Sequence, residues 1–252
     1  SHAEIVSRFV MNPLSCIFFA LDGVHTRGHY FIPELAGQGV KAFVTHARTE
    51  PIEGVWILKV PDALRALQAL AIFHRNQFEI PVIGITGSNG KTITKEWLAQ
   101  LLAQKYRVCK NPKSYNSQLG VALSILDLSG SHEIGVFEAG ISEAGEMDRL
   151  HDLIRPTLGI ITNIGDAHDS GFVSRGEKVR EKLKLFDGCS NVIYCGDYPD
   201  LREPLRNHPG AISWGIGSHN DIHLTQQQNP EGSTGLSFEW NAKSYRFSLP
   251  FS

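Results

Sequence analysis

The stretch from Val82 to Thr92 reads VIGITGSNGKT. Val82, Ile83 and Ile85 make a short apolar run of the kind that forms a buried strand. It breaks into Gly87-Ser88-Asn89-Gly90 and then Lys91-Thr92, after which Trp97, Leu98, Leu101 and Leu102 recur at helical spacing. Strand, glycine loop, Gly-Lys-Thr and helix are the parts of a phosphate cradle. The glycines let backbone N–H groups turn toward an anion, and the helix N-terminus adds partial positive charge. Lys91 is placed to reach terminal phosphates, and the Thr92 hydroxyl to ligate Mg²⁺. The spacing is not the strict Walker form: that form puts glycine where this chain has Ile85, and glycines stand at Gly84 and Gly87 instead. An ordinary strand–turn–helix with a surface lysine is the plain alternative.

With 252 residues, 42% hydrophobic and 20% charged, the chain has room for one large domain or two small ones around a buried core. A net charge of −2 advertises neither nucleic acid nor an anionic membrane as a partner. No apolar run reaches membrane-spanning length, and the first residues lack the basic-then-apolar layout of a signal peptide. Cys16, Cys109, Cys189 and Cys195 have no metal-type spacing, which points to reduced thiols and the cytoplasm.

Working outward, residues 1–79 read as a small α/β unit. It has strands at 16–21, 41–45 and 54–58, a short helix at 32–39, and a helix after Pro61 with Leu64, Leu67 and Ala71 at core spacing. Pro81 disfavours helix at Ile80 and opens the next strand, so a second unit is expected over 80–252. There strands at 82–86, 134–138, 158–162 and 191–195 alternate with helices at 92–105, 143–154, 176–186 and after Pro199. That order predicts an α/β fold, a mainly parallel sheet with helices on both faces. From about Ile212 the runs shorten and alternate, as in 235–240 and 245–249, which predicts late antiparallel strands at one edge.

Ligands of open α/β sheets collect beyond the carboxyl ends of the strands. Glu138 follows the apolar run 134–137 and is placed to hold Mg²⁺ beside a nucleotide; a helix cap is its plain alternative. The run 158–161 ends in Thr162-Asn163-Ile164-Gly165-Asp166-Ala167-His168, where His168 is a ligand or a loop histidine. In the helix over 176–186 the expected core face is Val179, Leu183 and Phe186. Lys182 lies about 60° from Val179 on that side, and Lys184 about 140° away toward solvent. A snorkelling lysine is the plain reading of Lys182. Asn111–Gly120, NPKSYNSQLG, is a polar loop in which the Asn116 amide is able to orient a substrate.

Together, GITGSNGKT, SYNSQLG, FEAGIS, TNIGDAH with Phe172, and Lys182 resemble the Mur ligase family, which builds the peptide stem of bacterial peptidoglycan. The Ala-His-x-x-x-Phe form, with Lys182 fourteen residues after His168, is similar to the member that adds D-alanyl-D-alanine to UDP-N-acetylmuramoyl-tripeptide. Ser7-Arg8, FFALDG and GHYFI resemble the UDP-substrate-binding domain of that member. The wording also resembles versions fused to a downstream alanine racemase. The resemblance implies an ATP-dependent amide ligase in which Gly87, Ser88, Asn89, Gly90, Lys91, Thr92 and Asn163 hold ATP. It puts Thr92 and Glu138 on one Mg²⁺ and His168 on a second. It makes Lys182 an N6-carboxylated ligand or orienting group for that second metal, sets Asn116 at the substrate end, and sets Ser7 and Arg8 near the uridine nucleotide. Neither nucleic acid nor membrane insertion is implied. Val6, Ser117, Ala122 and Lys184 depart from the residues usual at their places, and the family's C-terminal domain is not matched by any part of the chain. A folylpolyglutamate-synthase-like ligase and a P-loop nucleotide-binding module are the rival readings; the second leaves His168 and Lys182 without a role.

Overall fold

The computed structural model describes residues 2–4, 16–23, 25–165, 171–228 and 232–249. Near the N-terminus four parallel strands lie in chain order: β1 (His2–Glu4), β2 (Cys16–Phe19), β3 (Ala42–Thr45) and β4 (Trp56–Lys59). Strand period two divides the side chains of β2 and β3 between two cores. Cys16, Phe18, Ala20 and Phe43 join Ile32 and Leu35 of α1 (Ile32–Gly37). Phe19 and Val44 join Leu67 and Ala71 of α2 (Ala63–Arg75), whose first turn is capped by Asp62 accepting from the Arg65 N–H at 3.0 Å. Leu64, expected at core spacing, is only half-buried; Ala63, Leu67, Ala71 and Arg75 make the buried stripe.

The second sheet has seven parallel strands. They are β5 (Val82–Thr86), β6 (Val108–Lys110), β7 (Ile134–Glu138), β8 (Leu158–Ile161), β9 (Asn191–Cys195), β10 (Ala211–Gly215) and β11 (Ile222–His223). Their order is β11-β10-β9-β8-β5-β7-β6, so the chain leaves β5 for the edge strand β6, returns to β7 beside β5, and crosses to β8 on the other side. Such a switch point opens a crevice at the carboxyl ends of β5, β7 and β8. The flanking helices are α3 (Lys91–Leu102), α4 (Gln118–Leu126), α5 (Met147–Ile154), α6 (Arg175–Leu183) and α7 (Pro199–Leu205). Among the described residues no helix is long and apolar enough to cross a membrane, and all four cysteines are buried.

The α/β expectation holds, with corrections at the level of elements. Residues 211–215 and 222–223 extend the main sheet in parallel, because α7 returns the chain to the same end before β10. The antiparallel strands β12 (Thr225–Gln228), β13 (Thr234–Trp240) and β14 (Lys243–Leu249) form a sheet of their own and not an edge of the main one. Asn241 and Ala242, both at positive φ (49° and 59°), turn β13 into β14 as a two-residue hairpin whose twist suits the strands.

Arg75 fastens α2 to α5. Its buried guanidinium donates to the carbonyls of Ile154 (2.9 Å) and Arg155 (3.2 Å), acceptors that the end of α5 leaves without intrahelical partners, and to that of Phe78 (2.7 Å) just beyond α2. Burial, and after it the neighbouring Arg155, pull its pKa down, but the carbonyls hold the charged form in place. Arg75→Met keeps the stem and strands three acceptors, one buried and two partly so. It should cost about 2–4 kcal/mol, read in urea as a lower midpoint at unchanged slope.

Candidate active site

The loop that follows β5 is pinned to the loop that follows β8. The Ser88 N–H donates to the Asn163 carbonyl (2.9 Å), the Asn89 N–H to Asn163 Oδ1 (2.9 Å), and Thr162 Oγ1 to the Asn89 carbonyl (2.6 Å). Ser88 Oγ donates to the Gly165 carbonyl at 3.1 Å. Gly87 has φ 143°, and a Cβ on it would stand 2.0 Å from Thr162 Oγ1, so only glycine fits this crossing. Gly90, at φ 79°, opens α3 as its left-handed cap. Lys91 arches back over the loop and donates to the carbonyls of Gly87 (2.9 Å) and Ser88 (3.1 Å). Burial lowers its pKa; Glu138 opposes that and Lys178 adds to it.

Glu138 ends β7 with no exposed surface. Its Oε1 accepts from Thr92 Oγ1 (3.1 Å) and from Asn116 Nδ2 (3.0 Å). Its Oε2 has no hydrogen-bond partner, and Lys95 Nζ stands 3.7 Å away. Asn111 grips the Glu138 backbone from both sides, Oδ1 accepting from its N–H and Nδ2 donating to its carbonyl, each at 3.0 Å. The helix-cap alternative for Glu138 falls away. The side chain faces the loop and α3, and α5 begins only at Met147, later than the expected 143.

Lys182 is 2% exposed, and its Nζ reaches the Gly87 carbonyl at 3.4 Å. Burial lowers its pKa to about 8, with the charges on Lys91 and Lys178 adding to the effect. Snorkelling is therefore excluded. The rest of the expected core face is only partly right: Val179 and Phe186 are buried, Leu183 is half-buried, and Lys178, Glu181 and Leu185 are buried instead. Lys184 does point outward, pairing with Asp148 (2.8 Å) and Glu181 (2.9 Å).

Lys91, Thr92, Glu138, Asn116, Asn163 and Lys182 thus meet at one crevice with Gly87–Gly90. His168, Ser7 and Arg8 lie outside the described residues. Four residues with a part in the site were not singled out from the sequence: Lys95, Asn111, Lys178 and Glu181. Lys178, one helical turn before Lys182 on the same stripe, donates to the Gly165 carbonyl at 2.5 Å, and that spacing was a usable signal. Glu181 accepts from the Gly145 (2.7 Å) and Met147 (3.2 Å) N–H groups and caps α5 from another helix. Glu181→Ala should cost about 1–3 kcal/mol in chemical denaturation, as a buried cap is lost; an unchanged midpoint would contradict the capping role.

Residues 85–252 match the family model described as the Mur ligase middle domain. The chain is 35% identical over 222 residues to the UDP-N-acetylmuramoyl-tripeptide–D-alanyl-D-alanine ligase of Bacillus subtilis, covering 86% of this chain and 48% of that protein. It is similar to the solved MurF ligase of Thermotoga maritima in complex with ADP, with a TM-score of 0.87 and 29% identity over 98% of this chain and 57% of that one. MurF from Acinetobacter baumannii gives a TM-score of 0.86 and 27% identity, over 100% and 55% of the two chains. The chain spans about half the length of the relatives it matches.

Proposed function

The chain belongs to the Mur ligase family, and from that premise we propose that its site joins an amine to a carboxylate at the expense of ATP. The reaction we assign is the addition of D-alanyl-D-alanine to UDP-N-acetylmuramoyl-tripeptide, in keeping with the B. subtilis relative. One observation carries the reading: a phosphate cradle and a buried carboxylate, Glu138, share one crevice, and Glu138 Oε2 has no hydrogen-bond partner. Among the described residues no three His, Cys, Asp or Glu side chains gather as a metal site. Mg²⁺ suits such a place, because it is held by one or two carboxylates together with phosphate oxygens and water. Glu138 and Thr92 would hold it. When bound it screens the charge that otherwise repels a substrate carboxylate from the γ-phosphate.

The loop N–H groups of Gly87–Gly90 and the start of α3 receive the phosphates. Lys91 exchanges its carbonyl partners for phosphate oxygens. The tripeptide carboxylate oxygen attacks the γ-phosphorus, the bond to the β-phosphate oxygen breaks, and ADP leaves. The amine of D-alanyl-D-alanine then attacks the carbon of that acyl phosphate; a C–N bond forms, the C–O bond to phosphate breaks, phosphate departs, and the nitrogen gives up a proton to solvent. Asn116, already fixed on Glu138, orients the substrate end. On the same reading the neutral amine of Lys182 adds to CO₂ and releases a proton, and the resulting carboxylate would hold a second Mg²⁺ together with His168. Residues 1–79, with Ser7 and Arg8, take the UDP moiety, and residues 80–252 take ATP.

The test is made on this chain and, in parallel, on a protein that carries it with the rest of a full-length relative. With ATP, Mg²⁺ and both substrates, ADP release that requires both UDP-N-acetylmuramoyl-tripeptide and D-alanyl-D-alanine supports the ligase. Release indifferent to both overturns it.

A further inference from the structure

Lys95 lies on α3, one turn beyond Lys91, and is wholly buried. Its Nζ donates to the Asn111 carbonyl at 2.8 Å and to the Lys113 carbonyl, stands 3.2 Å from Glu96 Oε1, and is the charged neighbour of Glu138 Oε2 at 3.7 Å. Burying an ammonium is costly unless its donors are satisfied. Here two donors go to the backbone of the loop 111–116, and the charge also faces two carboxylates, Glu96 and, as an ion pair without a hydrogen bond, the buried Glu138 that the loop encloses. The same loop holds Glu138 by Asn111 on its backbone and by Asn116 on Oε1.

We propose that Lys95 is a positioning residue that locks the loop 111–116 and the Glu138 carboxylate into one unit, presenting Glu138 ready-oriented to Mg²⁺. This rests on the reading of Glu138 as a metal ligand. Thr92 and Asn116 both hold Oε1, so a carboxylate held by them alone is free to pivot about that atom. The Lys95 charge, paired with Oε2 at 3.7 Å, disfavours the pivot. Residues that orient a ligand without touching the metal change metal affinity by about 10–100-fold when lost. Simple charge counting gives the opposite sign: removing a cation 3.7 Å from the carboxylate would tighten Mg²⁺ binding. The two accounts are therefore separable.

The experiment is a Mg²⁺ titration of this chain, followed by a fluorescent ADP analogue, on wild type, Lys95→Gln and Lys95→Met, with circular dichroism as the check of folding. Gln keeps amide donors for the loop carbonyls and drops the charge; Met drops both. We expect the apparent Kd for Mg²⁺ to rise about 10-fold or more in both variants, with analogue binding in the absence of Mg²⁺ unchanged. In a Glu138→Ala background, changing Lys95 should move the Mg²⁺ dependence no further. A Kd within twofold of wild type, or a lower one, in Lys95→Gln overturns the proposal. So does an equal shift in the Glu138→Ala background, which would make Lys95 a loop prop alone. If wild type itself shows no Mg²⁺-dependent binding, the reading of Glu138 as a ligand is what fails, and the role of Lys95 falls with it.

Discussion

Lys182→Met, in a protein that carries out the ligation, should bind nucleotide as wild type does and form ADP about 10³-fold more slowly. The basis is the proposed carboxylation: the Lys182 amine, held against the Gly87 carbonyl and shielded from water, would become a carboxylate by adding CO₂. Met matches the stem, so packing along α6 survives and what is lost is the nitrogen. Because its pKa is lowered to about 8, roughly a fifth of the amine is neutral near physiological pH, where an ordinary lysine would be almost wholly protonated. At limiting CO₂ the wild-type rate should rise with pH through about 8 and then flatten. A ¹³C carbamate resonance should appear on exposure to ¹³CO₂ and be missing from Lys182→Met. Stability adds an independent sign. Between about 8 and the ordinary 10.5 the unfolded chain binds more protons at this residue than the native one. Stability before CO₂ is added therefore rises with pH across that window, and less so in Lys182→Met. A variant with near wild-type turnover, or wild type without the resonance, would remove Lys182 from the chemistry.

How far the site could be read in advance follows the range of the interactions that build it. Glu138 and Asn163 stand just past apolar runs, and Lys182 keeps helical phase with Val179, so local periodicity located these positions; their roles came from the resemblance, since periodicity alone favoured a snorkelling Lys182. The same periodicity failed at Leu183. The α-helix ends there and continues as a 3-10 turn over Lys184–Phe186, and the step from 100° to about 120° per residue turns Leu185 inward. Lys95, Asn111 and Glu181 owe their parts to partners 16 to 43 positions away in sequence, such as Glu138 for Lys95 and Asn111 and Gly145 for Glu181, and no window along the chain contains those pairings. The parallel setting of β10 and β11 was hidden for the same reason. Residues 211–215 alternate weakly, and only the return of the chain through α7 decides their direction.

Lys91→Met should weaken ATP binding about 100-fold and lower ADP formation about 10³-fold while leaving the fold intact. The structure shows why those effects separate. In the wild type the ammonium donates to the Gly87 and Ser88 carbonyls, so it rests on the floor of the cradle and not in the core. Glu138 draws it toward the positive form that burial and Lys178 disfavour, an ion waiting for anionic partners. Replacing it strands two loop carbonyls but creates no large cavity, and the staples from Thr162 and Asn163 still shape the loop. Lys91→Arg should rescue poorly, because a planar fork on a longer stem suits a bidentate partner and not a point contact against the loop. The decisive comparison is between nucleotides. If Lys91 engages the β- and γ-phosphates, the variant loses affinity for ATP and ADP but binds AMP as wild type does. An equal loss for AMP would show that Lys91 acts by holding the loop in shape, and the phosphate contact would have to be reassigned to the backbone of Gly87–Gly90 and to Lys178.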